Sequence, residues 1–120
     1  MPDESYAQEL KTLVEWVDEW LDSAVSDIYK DQPLAQDWAR VSKVVEEAGE
    51  AINALIGISG QNPRKGTYAD TADLVGELAD VALTGIYAIQ HFTKDADRTL
   101  SVLLDKARYH RARIETPGDN

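Results

Sequence analysis

The chain has 120 residues and a mass of 13.3 kDa, which fits one domain rather than two. Its hydrophobic fraction of 43% suffices for a packed core, and the absence of cysteine excludes disulfide scaffolds, thiol catalysis and cysteine-ligated zinc. Acidic residues outnumber basic residues by 22 to 12, and the net charge of −10 disfavours nucleic acid and anionic membranes as partners. Neither a basic leader nor an apolar run of membrane-spanning length is found, so we expect a cytoplasmic protein.

Helical periodicity dominates the first half of the chain. Apolar residues spaced by three and four predict a first helix, with Ser5 and Gln8 as a capping box at its start and Asp31-Gln32-Pro33 at its end. Pro33 fits the first position of a second helix of about 24 residues, for which Gly57 and Gly60 are stop signals. Residues 59–71 contain several turn formers and no apolar periodicity, which predicts a loop.

The second half continues in the same way. A third helix is predicted from Asp70 or Thr71 to Phe92, and a fourth from Asp95 to Ile114. Nothing is typical of a strand. We therefore predict an all-α fold, an antiparallel four-helix bundle formed by residues 1–115 as a single domain, with residues 116–120 as a frayed tail.

Two carboxylates in the third helix need an explanation. From Leu74 to Phe92 this helix is apolar nearly all the way round, and its only formal charges are Glu77 and Asp80. Residues three apart lie on one face of a helix, so the two carboxylates are close together. Burial and mutual repulsion of two carboxylates cost free energy. This cost would be offset by protonation, by basic side chains or by a metal cation.

The second helix has a matching pair of carboxylates. Glu47 and Glu50 repeat the three-residue spacing, and antiparallel packing of the two helices would let them face Glu77 and Asp80. Four carboxylates around one space suit hard divalent cations such as Mg²⁺ or Mn²⁺.

A purely structural explanation of the second-helix acids also exists. Lys43 is positioned to pair with Glu47, and Glu46 lies beside Glu50 and the solvent, as on any charged helix face. A di-iron site is set aside because neither His91 nor His110 has a glutamate three residues before it, and we expect both histidines to be packing or surface residues.

The complete acidic pattern resembles the signature of a known family. Glu46-Glu47-x-x-Glu50, followed after 26 residues by Glu77-x-x-Asp80, is similar to the motif of the MazG-like all-α nucleoside triphosphate pyrophosphohydrolases. The resemblance extends from about Trp38 to Arg113. It implies the MazG-like fold and hydrolysis of a nucleoside triphosphate, normal or modified, to the monophosphate and pyrophosphate.

The resemblance also implies residue roles. Mg²⁺, with Mn²⁺ as a substitute, would be bound by Glu47, Glu50, Glu77 and Asp80. Glu46 and Glu47 are the catalytic candidates that would activate water. The candidate phosphate-binding cations are Lys43, Lys65, Lys106 and Arg111, of which Lys65 belongs to a loop that either closes over the phosphates or is an exposed turn.

Two further expectations concern partners. The long apolar stripe of the first helix, with Trp16 and Trp20, predicts a surface covered by another subunit, and relatives in the resembled family are dimers or tetramers. Two other functions stay open: a non-catalytic helical regulatory or assembly module that binds a nucleotide or metal, and a nucleic-acid partner that uses the basic last helix, against which the net charge argues.

Overall fold

The computed structural model describes residues 2–116 and residue 118, with side chains described from Ser5 onward. These residues form four α-helices and no strand: α1, Pro2–Tyr29; α2, Pro33–Ser59; α3, Thr71–Thr93; and α4, Ala96–Glu115. The predicted all-α chain with four helices is thereby confirmed. The tail predicted to fray, residues 116–120, lies mostly outside the described part of the chain. No described helix is both long and apolar enough to cross a membrane.

The first residues of α3 show why this helix begins where the sequence predicts. The Asp70 side chain accepts a hydrogen bond from the Asp73 backbone N–H at 2.9 Å, and the Asp73 side chain accepts one from the Asp70 N–H at 2.9 Å. This reciprocal capping box satisfies two backbone donors that the first turn leaves without helical partners. Asp95 caps α4 in a similar way, because its side chain accepts from the Arg98 N–H at 3.2 Å.

The predicted start of α1 was wrong. The helix begins at Pro2 and therefore includes Ser5, which the sequence suggested as its cap. Proline is well suited to the first turn because the N–H that it lacks would have no helical acceptor there. The same preference explains Pro33 at the start of α2, where the prediction is confirmed.

Helices α2 and α3 form an antiparallel pair. Asp37 near the start of α2 contacts His91 near the end of α3, with 2.7 Å between Asp37 Oδ1 and His91 Nε2. In the middle of α2, Glu47 meets Glu77, and Gly57 near its end meets Tyr68, which precedes α3. Successive contacts therefore involve later residues of α2 and earlier residues of α3. This order requires the antiparallel arrangement that the sequence predicts.

A buried arginine joins the other helices to this pair. Arg40 of α2 is 7% exposed, and its guanidinium donates to Asp18 Oδ1 and to Asp22 Oδ1 of α1, both at 3.0 Å. Lys94, between α3 and α4, donates to the other oxygen of each aspartate at 2.8 Å. Lys94 has a φ of 55°, a left-handed conformation uncommon for a residue with a side chain, and these two ion pairs favour it there.

The segment between α2 and α3 is held by close packing at Gly57. A Cβ at this position would lie 2.7 Å from the Tyr68 ring and 2.9 Å from Ala69 Cβ. Tyr68 also donates its backbone N–H to the Gly57 carbonyl at 2.9 Å and its hydroxyl to Asn53 Oδ1 at 2.9 Å. Gly57 lies inside α2, whereas Gly60, the other predicted stop, caps the helix in the left-handed conformation.

We expect Gly57→Ala to lower the free energy of unfolding by about 1–3 kcal/mol, because the added methyl group overlaps the Tyr68 ring. Gly49→Ala in the same helix is the matched control. It has open space around its Cβ and should stabilise the chain by up to about 1 kcal/mol through helix propensity. Urea unfolding followed by circular dichroism measures both values, and equal effects of the two variants would contradict the packing described here.

We expect Arg40→Met to destabilise the chain by about 3–5 kcal/mol, because it leaves Asp18, itself 3% exposed, with one partner fewer inside the protein. Arg111→Met is the control, since Arg111 forms an exposed pair with Glu115 and its loss should cost under about 0.5 kcal/mol. The same urea titration separates the two. A loss at position 40 as small as that at position 111 would contradict the structural importance of this ion pair.

Candidate functional site

Three carboxylates from α2 and α3 meet on one face of the helix pair. Glu47, Glu77 and Asp80 each offer one oxygen, and these oxygen atoms all lie within 4.8 Å of one another. The antiparallel packing of α2 and α3 produces this arrangement, as the sequence predicts. We refer to these three residues as the acidic cluster.

Two of the three carboxylates of the acidic cluster, Glu77 and Asp80, have no cation beside them within the described part of the chain. Partial desolvation raises the pKa of Glu77, and the charges of Asp80, Glu50, Glu47 and Asp73 raise it further. Among the described residues, no cation forms an ion pair with Glu77 or Asp80. Glu50 is exposed and is outside the three-oxygen group, but its effect on Glu77 places its charge within range of the cluster. Such a group of oxygens suits a divalent cation.

Lys43 lies at the edge of the acidic cluster. Its Nζ is 3.1 Å from Glu46 and 3.6 Å from Glu47, and the hydrogen bond to Glu46 raises the pKa of Lys43. The pairing with Glu47 that the structural explanation requires is therefore present, together with a closer one to Glu46. The Glu46 side chain is 60% exposed and that of Glu47 only 17%. Glu47 thus faces the cluster, whereas Glu46 points toward solvent.

An apolar pocket of about 310 Å³ lies between α1 and the α2–α3 pair. One wall comes from α1 and the others from α2 and α3; the lining includes Val17, Leu21, Val25, Ala39, Lys43, Thr84 and Tyr87. Lys43 and Thr84 are each one helical turn from a residue of the acidic cluster, namely Glu47 and Asp80. The pocket lining and the cluster are therefore neighbours along both α2 and α3.

The α2–α3 loop carries the candidate cation Lys65. Lys65 Nζ lies 5.9 Å from the centre of the Tyr68 ring, and the Tyr68 hydroxyl donates a hydrogen bond to Asn53, which follows Glu50 by three residues. A three-residue step places Asn53 on the Glu50 side of α2. Within the described part of the chain, Lys65 forms no ion pair.

The two candidate cations of α4 make their contacts within their own helix. Lys106 Nζ lies 5.9 Å from the centre of the Tyr109 ring, and Arg111 donates to Glu115 at 2.6 Å. Within the described chain, neither forms an ion pair or hydrogen bond with the acidic cluster. The structure therefore brings Lys43 to the carboxylates but leaves Lys106 and Arg111 apart from them.

A second group of potential metal ligands, which the sequence analysis did not identify, consists of Asp18, Asp22 and His91. Arg40 and Lys94 already neutralise its two aspartates, and His91 bonds to Asp37. Its aspartates are therefore held in ion pairs, whereas His91 Nδ1 is buried and has no hydrogen-bond partner among the described residues. The four-residue spacing of Asp18 and Asp22 was the sequence signal that could have indicated this group. It did not reveal their partners, Arg40 and Lys94, because these lie far away in the sequence.

No family model, no curated protein and no solved structure matches the chain.

The raised pKa of Glu77 predicts a specific pH dependence of stability. At a pH below the ordinary pKa of glutamate, Glu77 is protonated in both the folded and the unfolded chain, so it does not affect the free energy of unfolding. As the pH rises, the unfolded chain loses this proton first, and ionised Glu77 then disfavours the folded state. Glu77→Gln should therefore unfold at higher urea than wild type at pH 7 in EDTA, and the advantage should vanish near pH 3.5.

Glu19→Gln on α1 is the control for this experiment, because it removes one negative charge at an exposed site outside the cluster. It corrects for the general benefit of reducing a net charge of −10. Equal stabilisation by both variants at pH 7 would contradict the crowding of carboxylates around Glu77.

Proposed function

We propose that the chain is a metal-dependent nucleoside triphosphate pyrophosphohydrolase with the MazG-like fold. The observation that carries this proposal is the acidic cluster, in which three carboxylate oxygens from two helices converge while no described cation pairs with Glu77 or Asp80. The motif that these residues form, Glu46-Glu47-x-x-Glu50 with Glu77-x-x-Asp80, selects this reaction among those that a divalent cation assists.

The donor set fits Mg²⁺ or Mn²⁺. Glu47, Glu77 and Asp80 would hold the ion, with Glu50 one turn from Glu47 as a further oxygen donor. All of these donors are hard carboxylate oxygens, which such ions prefer to nitrogen or sulfur. When bound, the ion would neutralise the charge of phosphate oxygens and would activate a water molecule.

Glutamates of α2 and Lys43 would assist different steps of the reaction. A water oxygen bonds to the α-phosphorus, the bond from that phosphorus to the α–β bridging oxygen breaks, and the products are nucleoside monophosphate and pyrophosphate. The water proton passes to a glutamate carboxylate, for which Glu47 is better placed than the more exposed Glu46. Lys43, beside both, is positioned to donate to a phosphate oxygen as negative charge develops.

The apolar pocket beside the acidic cluster is where we place the nucleoside. Its volume of about 310 Å³ is at the lower end of the range for small-molecule sites, and Val17, Leu21 and Val25 of α1 would supply apolar contact for a base. Lys65, in the loop that follows α2, is the further cation that we assign to the distal phosphates. Lys106 and Arg111 would reach a phosphate only if α4 moved or if they belonged to another subunit.

We expect wild-type protein to release pyrophosphate from at least one member of a panel of normal and modified nucleoside triphosphates with Mg²⁺ or Mn²⁺, and not with EDTA. Asp80→Asn keeps the side-chain shape but removes a charged ligand, and should reduce the rate by about a hundredfold or more. Asp105→Asn, an equivalent change on the exposed face of α4, should leave the rate unchanged.

Two outcomes would contradict the proposal. Full activity of Asp80→Asn would remove the acidic cluster from the reaction. Binding of Mn²⁺ and nucleotide by folded wild-type protein, without pyrophosphate release from any substrate, would indicate the non-catalytic binding module instead. Manganese electron paramagnetic resonance on the same samples measures the bound metal independently of turnover.

A further inference from the structure

His91 Nδ1 is, among the described residues, the only buried side-chain nitrogen or oxygen without a hydrogen-bond partner. The His91 side chain is 11% exposed, and the other ring nitrogen, Nε2, lies 2.7 Å from Asp37 Oδ1. Because an ionised carboxylate only accepts hydrogen bonds, Nε2 carries the proton of the neutral ring and Nδ1 keeps its lone pair. A buried acceptor without a donor costs free energy, so this atom requires an explanation.

The lone pair of His91 Nδ1 lies beside two carboxylates of α1. Nδ1 is 3.9 Å from Asp22 Oδ1, which is too far for a hydrogen bond. Asp18, Asp22 and His91 each offer one ligand atom, and these three atoms all lie within 4.8 Å of one another. A zinc ion bound at about 2.0–2.1 Å to a nitrogen and to an oxygen holds these two atoms at most about 4 Å apart. The spacing between Nδ1 and the Asp22 carboxylate therefore fits an ion, with Asp18 as the third ligand.

Asp37 gives His91 the outer contact that is typical of a metal-binding histidine. In metal sites, the ligating histidine usually donates its second ring N–H to a carboxylate, which fixes the tautomer and the orientation of the ring. The hydrogen bond from Nε2 to Asp37 has this effect on His91. The ring therefore presents its lone pair, the form that a metal ion binds, next to the α1 aspartates.

The ammonium of Lys94 is the group that an ion would displace. Lys94 Nζ lies 2.8 Å from Asp18 Oδ2 and 2.8 Å from Asp22 Oδ2, and its side chain is 49% exposed, so it can turn into water. Buried Arg40 stays paired with the other oxygen of each aspartate. Asp18, Asp22 and Asp37 carry three negative charges, which one arginine and a divalent ion neutralise fully. With Lys94 in place of the ion, one negative charge is left over.

We propose that Asp18, Asp22 and His91 bind one Zn²⁺ ion in exchange for the Lys94 ammonium. The nitrogen ligand distinguishes this site from the acidic cluster, whose all-oxygen ligands suit Mg²⁺ or Mn²⁺. The two sites are also far apart, because Asp80 and His91 are separated by about 16 Å along α3. The ion joins α1 to α3 and so holds α1, one wall of the apolar pocket, in place. This proposal goes beyond the proposed function and does not depend on it.

A zinc titration of the full chain, with excess Mg²⁺ present to fill the acidic cluster, tests the site. Calorimetry at about pH 7.5, where histidine is mostly neutral, should show one tightly bound Zn²⁺ per chain. His91→Gln removes the nitrogen ligand and should weaken binding about tenfold or more. His110→Gln, the same change at an exposed position of α4, is the matched control and should leave binding unchanged. Lys94→Met should strengthen binding, because it removes the competing ammonium.

Several results would overturn the proposal. One is a wild-type chain that binds no zinc at tens of micromolar, and another is His91→Gln that binds zinc as tightly as wild type. Loss of zinc binding in Asp80→Asn would also overturn it, because the ion would then belong to the acidic cluster. Weaker binding by Lys94→Met would contradict the exchange of the ammonium for the ion.

A measurement on the wild-type chain decides the question even if His91→Gln fails to fold. The chain has two histidines, so nitrogen NMR of the imidazole rings gives few signals, and the spectrum of His110→Gln assigns them. Zn²⁺ should shift the Nδ1 signal of His91 and leave its Nε2 protonated, while the signals of His110 stay unchanged. A shift of His110 alone, or of neither ring, would overturn the proposal.

Discussion

The ion pair between Arg40 and Asp18 is the interaction on which the arrangement of the helices depends. Both side chains are almost fully buried, so each charge requires the other, and Asp22 and Lys94 complete the neutralisation. This network joins α1 and α2 to the connection between α3 and α4. It fixes α1 across one side of the α2–α3 pair and thereby creates the wall of the apolar pocket.

The position of α1 gives the molecule two different sides. On one side, the apolar pocket and the acidic cluster follow each other along α2 and α3, so that apolar and acidic side chains are neighbours. On the other, α2 and α3 expose apolar side chains. This separation keeps the carboxylates of the acidic cluster away from the exposed apolar side chains of α2 and α3.

Local signals in the sequence predicted the helices well because capping and proline chemistry act within a few residues. Asp70 and Asp73 fix the start of α3 through two hydrogen bonds to adjacent backbone groups, and Pro33 opens α2. The Ser5 prediction failed because a helix continues past a favourable cap when an earlier residue starts it equally well, as Pro2 does. The same short-range periodicity placed Glu77 and Asp80 on one face.

The sequence by itself determined the helical fold and the convergence of Glu47, Glu77 and Asp80, because helical spacing and antiparallel pairing suffice to bring these carboxylates together. Only the tertiary structure decided that Arg40 is buried against Asp18 and Asp22, and that α2 exposes a long apolar stripe in addition to the exposed Trp16 and Trp20 of α1. Periodicity shows that a helix has an apolar side. Which apolar side is covered depends on the angle and position at which distant helices pack, and a local pattern does not encode them.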